Sequence, residues 1–284
     1  MDALASPAGA RNFSAQYFSD FAAALRYWRG KRGISQLRLS VDSGISQRHL
    51  SFLETGRAQP GKDLILKLGL VLDIPLRQRN AMLLAAGFAP AYRERNLQDP
   101  DMEAVKQALE FMLQQQSPYP ALVVDRLWNL VMANEPAARM MRFFLGMPAH
   151  MPIPRDGSVN VIRMTLDPNG LRPALVNWQE VCADQLQWVQ REAMGDGPGS
   201  EAAKLLDELL ALPGIAEAAS QPNLDRLALP FLPITLRKDE VALKLFTTIT
   251  TLGTPHDVTV HELRLEAFFP ADEASRRWFE RQAQ

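Results

Sequence analysis

A single cysteine, Cys182, stands in this 284-residue chain. An intramolecular disulfide is therefore excluded, and a reducing compartment, the cytoplasm, suits the composition. No apolar run approaches the roughly 18–20 residues that cross a bilayer as a helix, so the sequence offers no membrane span. Met1 to Phe18 lacks a basic start followed by an apolar stretch, which reads against a secretory signal. Histidine is scarce: His49, His150, His256 and His261 are the four. His256 and His261, five apart in a segment that reads as a strand, would face opposite sides, so a zinc site is not legible. A Gly-x-Ser-x-Gly elbow is missing, and Cys182 lies in an apolar stripe that suits a core residue better than a nucleophile. The segment Gly56-Arg57-Ala58-Gln59-Pro60-Gly61-Lys62-Asp63 falls one residue short of a phosphate-binding loop. Asp63 replaces the Ser/Thr that ligates magnesium, Pro60 has no N–H to donate, and a helix rather than a strand precedes it. The reading is of a protein that is not an enzyme, with no cofactor and no metal.

What the chain does have is an uneven distribution of charge. Residues 1–90 carry 12 Lys/Arg against 6 Asp/Glu, a net of +6, and residues 91–284 carry 19 against 26, a net of −7. A basic domain that meets a polyanion, joined to one that does not, gives this pattern; so does a solvated basic face. Length and composition (47% apolar, 22% charged) suit about two globular domains.

The division predicts a disordered Ala/Ser/Gly-rich tail over 1–16, a helical domain over 17–92, a linker helix over 93–117 and a mixed domain over 118–284. Five short helices with tight connections fill the first part. The first has Phe18, Phe21, Ala22, Leu25 and Trp28 on one face. Further on, Ala121 to Asp125 and Trp128 to Ala133 read as strands, and Pro136 to Phe144, Asn177 to Met194 and Ser200 to Leu212 as helices. Leu227 to Arg237, Val241 to Thr251 and Val258 to Phe268 read as three more strands, followed by a short helix after Pro270. The expected fold is an all-α five-helix domain followed by an α+β domain, whose five-stranded antiparallel sheet has its helices on one face.

The unit that carries chemistry runs from Ser35 to Glu54. Two short helices must cross steeply for the second to enter a major groove. Ser40 and Ser43 are small where they touch, and Gly44 tolerates a positive φ at the turn. Leu39, Ile45, Leu50 and Leu53 form the wedge that locks the pair together. The exposed side of the second helix begins Ser46-Gln47-Arg48-His49. Gln pairs with the N6/N7 edge of adenine and Arg with O6/N7 of guanine. Phe52 suits either a thymine methyl or the interior. Gln36 and Arg57 are placed for phosphates. The expected DNA-facing set is Gln36, Ser46, Gln47, Arg48, His49, Ser51, Phe52 and Arg57. Leu37 and Val41, apolar on the outer face, are left unexplained by DNA.

Ser35 to Gly56 resembles the phage-repressor-like (XRE, lambda-repressor-like) helix-turn-helix, with similarity extending to about Gly87. Ser46 to Phe52, Met82 to Pro90, Tyr119 to Asp125, Trp128 to Val131, Asn177-Trp178 and Phe268 to Glu273 resemble the MmyB-like regulators. The resemblance implies a PAS-like C-terminal domain that accepts a fatty-acid-like molecule, and a transcription regulator that binds double-stranded operator DNA. A homodimer is the expected assembly. Leu175, Trp178, Val181, Cys182, Leu186 and Val189 make a wide stripe that covers the sheet or lines a cavity. Candidate ligand-binding residues are Met132, Phe143, Arg163, Trp178, Cys182, Phe231, Leu245 and Phe246, with Arg163 as an anchor for a carboxylate. The competing reading makes the C-terminal domain a protein-interaction module without a small molecule.

Overall fold

The computed structural model describes residues 20–154, 157–196, 199–220, 233–253 and 255–282. They fall into two units divided between Arg93 and Glu94. The expected tail, the opening of the expected strand at Leu227 and the ligand-site candidate Phe231 lie outside the described residues.

The first unit consists of α1 (Phe21–Lys31), α2 (Gln36–Ser43), α3 (Gln47–Glu54), α4 (Lys62–Val71) and α5 (Leu76–Ala85). Asp20, Ser35 and Ser46 stand just outside the first three. Their side chains accept the backbone N–H of Ala23 (2.7 Å), Arg38 (3.1 Å) and His49 (3.2 Å). Each satisfies an N–H that the helix itself leaves without a partner. Gly44 ends α2 at φ +64°, a left-handed conformation that glycine adopts without strain, and the chain turns there into α3. Leu25, Trp28, Leu39, Leu50, Leu53, Ile65, Leu68 and Leu83 share one core. These are the five short helices expected.

The second unit is built on an antiparallel sheet in the order β2-β1-β5-β4-β3. The strands are β1 (Ala121–Val124), β2 (Leu130–Ala133), β3 (Ile234–Lys238), β4 (Val241–Thr250) and β5 (Arg264–Pro270). Around them lie α6 (Glu103–Gln115), α7 (Glu135–Leu145), α8 (Val161–Leu166), α9 (Trp178–Asp196), α10 (Glu201–Leu210), α11 (Ile215–Ser220), α12 (Val258–Glu262) and α13 (Glu273–Gln282). The five-stranded antiparallel sheet and the α+β class are as expected.

The expectation that helices cover one face is corrected. All four residues of β1 are buried. Leu122 and Val124 point into a cluster with Met141, Phe144, Cys182, Leu186, Leu243 and Leu245, here the inner face. Ala121 and Val123 point the other way, into an outer cluster with Leu109 and Leu113 of α6, Leu265 and Ala267. An apolar run without alternation marks a strand covered on both sides.

The expected strand Val258 to Phe268 is also corrected. Asp257 accepts the N–H of Thr259 at 2.9 Å and starts α12, so β5 begins only at Arg264. A side-chain cap outweighs the β-propensity of Val258, Thr259 and Val260. α8 and α11 were not expected from the sequence. The linker helix is shorter than read: a 3-10 turn at Pro100–Met102 precedes α6.

Candidate functional site

In the first unit, the back of α3 is clamped. Glu54, only 3% exposed, receives Arg29 Nε at 2.5 Å and Arg29 Nη2 at 2.9 Å. Gln36, half-buried at the start of α2, donates Nε2 to the same carboxylate at 2.7 Å. Arg26 donates to the Glu54 carbonyl. Burial pushes the Glu54 carboxyl upward, but hydrogen bonds from Arg29 and Gln36 and the charges of Arg29 and Arg26 outweigh it, and the group lies below the usual carboxylate range. The hydrogen bond to Glu54 raises Arg29 in turn.

The front of α3 is open. Ser46, Gln47 and Arg48 are exposed, and His49, Ser51 and Phe52 are half-buried. The Arg48 guanidinium lies 5.4 Å from the centre of the Phe52 ring, one turn on. Arg57 is exposed just past the helix. Gln36 has its amide nitrogen engaged inside the unit, on the Glu54 carboxylate. An amide and a guanidinium side by side on the first turn of a capped helix have the reach and donor pattern to read base edges. Leu37 and Val41 are 61% and 70% exposed on the outer side of α2.

In the second unit, Phe143, Trp178, Cys182 and Leu245 all belong to or pack against the inner cluster. The Phe143 ring is edge-on to Phe144 at 5.0 Å, and Lys238 Nζ donates to its carbonyl at 2.6 Å. The Arg172 guanidinium lies 3.7 Å from the centre of a Trp178 ring. Burial raises the Cys182 thiol to about 11, with Arg172 pulling weakly the other way, so it stays protonated and unreactive at neutral pH. Met132 and Phe246 belong to the opposite side of the sheet. Met132 pairs with Val123 and packs against the outer cluster, and Phe246 stacks on Phe269 at 5.2 Å. Arg163 is exposed and paired with Glu208. Between α6 and β2 runs a groove of about 660 Å³, lined by Lys106, Glu110, Leu113, Val131 and Met132 among others.

A family model described as Helix-turn-helix matches residues 25–78, from within α1 into α5. The model described as MmyB-like transcription regulator ligand binding domain matches residues 105–281, well over half of the chain. The chain belongs to the MmyB-like transcription regulators. A comparison with curated proteins returns no match. This MmyB-like regulator is thus a DNA-binding helix-turn-helix protein with a ligand-binding domain. Among its described residues no helix is long and apolar enough to cross a membrane.

Two polar features of the ligand-binding domain escaped the sequence reading. The first is an ionic cluster beside the β1–β2 turn. Arg126, 7% exposed, pairs with Asp196, 1% exposed, and lies within 4 Å of Glu192 and Glu262. Arg264 joins it through Glu192 at 2.6 Å. Their separation in sequence hides the cluster. The second is Glu266, 8% exposed on central strand β5. Burial raises its carboxyl to about 7, with the Thr247 hydrogen bond lowering it in part. Its signal was an acid inside the apolar run Leu265-Glu266-Ala267-Phe268-Phe269.

Proposed function

We propose that this regulator binds double-stranded operator DNA as a homodimer, reading bases with the first turn of α3. In this reading its C-terminal domain senses a small hydrophobic, fatty-acid-like molecule. The observation that carries the DNA half is the exposure of Gln47 and Arg48 on a helix capped by Ser46 and held from behind by Glu54. The sensing half is supported by the family and by the broad apolar inner face between the sheet and α7 and α9. A ligand that binds one arrangement of the protein more tightly than another changes operator affinity by the difference. On this account α6, which packs on the outer cluster, is the element that relays the change.

A gel-shift series at fixed salt tests both halves. Arg48→Ala and Gln47→Ala are each expected to weaken operator binding by about 1–3 kcal/mol while leaving non-specific binding nearly intact. Unchanged operator affinity in both variants removes the role of α3. An operator affinity indifferent to every member of an acyl-lipid panel removes the sensing half.

A further inference from the structure

Two surface helices of the second unit turn charge to the water. The exposed residues of α10 include Glu201, Lys204, Asp207 and Glu208, and those of α13 include Glu273, Arg276, Arg277 and Arg281. α6 does not follow them. From Ala104 to Gln115 its exposed residues are Ala104, Gln107, Ala108, Phe111, Gln114 and Gln115, with no charge among them. Helical periodicity puts Phe111, 62% exposed, at the middle of this face, with Ala108 and Ala104 one and two turns before it. An aromatic residue left in water within a charge-depleted face has the composition of an interface core.

The opposite side of α6 is committed to its own unit. Met102, Leu109 and Leu113 are buried in the outer cluster, and Val105 and Met112 pack against it. Charge returns on one flank of the helix only. Lys106 and Glu110 stand one turn apart there, on the wall of the groove beside β2. Lys106 reaches Glu103 only at 4.0 Å, and Glu110 has no ion-pair partner among the described residues.

This pattern is complementary to itself. Two copies of α6 laid antiparallel about a two-fold axis bring like flanks together, because the axis stands perpendicular to both helices. With the axis at Ala108, Lys106 of each copy faces Glu110 of the other. Phe111 of each then enters the recess that the small Ala104 and Ala108 leave on the other. A parallel pair sets the charged flank against Val105 and Met112 instead, and leaves both charges without partners.

We infer that this face of α6 is where two copies of the chain meet, antiparallel, with Phe111 at the centre and Lys106–Glu110 pairs along one edge. The inference rests on the homodimer reading above and names its surface. α6 has 13 residues and is about 20 Å long, so the contact lies at the small end of specific interfaces, and its dissociation constant is expected on the order of micromolar.

Sedimentation of the full chain between about 1 and 100 µM measures the association. The wild type is expected to dimerise. Phe111→Glu is expected to weaken the dimer at least about tenfold with thermal stability unchanged, because this side chain already lies in water. Lys106→Glu and Glu110→Lys each set like charges across the axis and are expected to weaken it about threefold to tenfold; the double exchange restores it. Introduced cysteines read the geometry, since the native Cys182 is buried. Ala108→Cys is expected to cross-link two copies under mild oxidation. In Ala104→Cys the thiols lie about 12 Å apart along the helices and are expected to stay reduced. A dimer that withstands Phe111→Glu overturns the inference and leaves the homodimer standing. So does one that the double exchange fails to restore, or that cross-links as readily through Ala104→Cys as through Ala108→Cys. A wild type that stays monomeric throughout the range removes both readings and leaves the face to a different partner.

Discussion

Arg29 and Glu54 face each other across the first unit as a two-pronged pair, 2.5 and 2.9 Å, with the carboxylate almost wholly out of water. The pair joins α1 to the last residue of α3, and Gln36 extends it to the first residue of α2. Three helices of the DNA-binding unit thus meet at one carboxylate. Glu54→Ala is expected to destabilise this unit by about 3 kcal/mol, because it strands a partly buried guanidinium. The carboxyl lies below its ordinary value of 4.5 in the fold. The stability it contributes is therefore present above that value and is lost as pH falls through it towards the lowered folded value. Denaturant melts of the wild type and of Glu54→Gln between about pH 7 and pH 3 check this: the wild type loses its advantage on acidification.

Asn134 caps α7 and uses its whole amide. Its Oδ1 accepts from Ala121 and Ala137, both at 3.0 Å, and its Nδ2 donates to Leu113 at 3.2 Å and Tyr119 at 2.9 Å. Asn134→Ala is expected to cost about 2–4 kcal/mol in the second unit. Asn134→Asp keeps the cap but loses both donors, and is expected to fall between wild type and Ala. The urea midpoint with tryptophan fluorescence measures the order.

Asp196 is 1% exposed and has the Arg126 guanidinium beside it. Arg126→Met is expected to destabilise the second unit by about 3–5 kcal/mol, because the buried carboxylate is left behind. Adding Asp196→Asn to that variant is expected to recover a good part of the loss, by removing the charge that was stranded. A double-mutant cycle in denaturant gives both numbers.

Glu266 predicts the opposite pH behaviour to Glu54. Its carboxyl has an ordinary value of 4.5 and lies at about 7 in the fold. The unfolded chain releases this proton first as pH rises, so stability falls between the two values and levels off above the folded one. The separation corresponds to about 3 kcal/mol. Glu266→Gln is expected to flatten this part of the profile and to gain on the wild type between about pH 5 and pH 8. A difference between the two proteins that stays constant over that range contradicts the assignment.

The DNA-binding unit was legible because its signals are local. Ser35 and Ser46 cap the helices they precede, and Gly44 takes the left-handed turn its position suggests. The second unit was legible in its strands and long helices, and less so where tertiary context decides. Val258 to Glu262 has the composition of a strand, yet Asp257 caps it as a helix. Leu245 and Phe246 both look like pocket residues, but neighbours on a strand face opposite ways, so one lies in the inner cluster and the other stacks on Phe269. Met132 was misplaced for a related reason: β2 slips by a residue against β1 between Val123 and Val124, so counting along the strand does not give its side. Arg126 and Asp196 lie 70 residues apart, beyond the reach of any local pattern.

Burial of β1 on both faces has a mechanical corollary. Leu122 touches the inner layer and Val123, the next residue, touches the layer that holds α6. Consecutive residues of a strand are about 3.3 Å apart along a stiff backbone. A molecule that displaced Leu122 or Val124 from within would therefore press on the seat of α6 through a single strand.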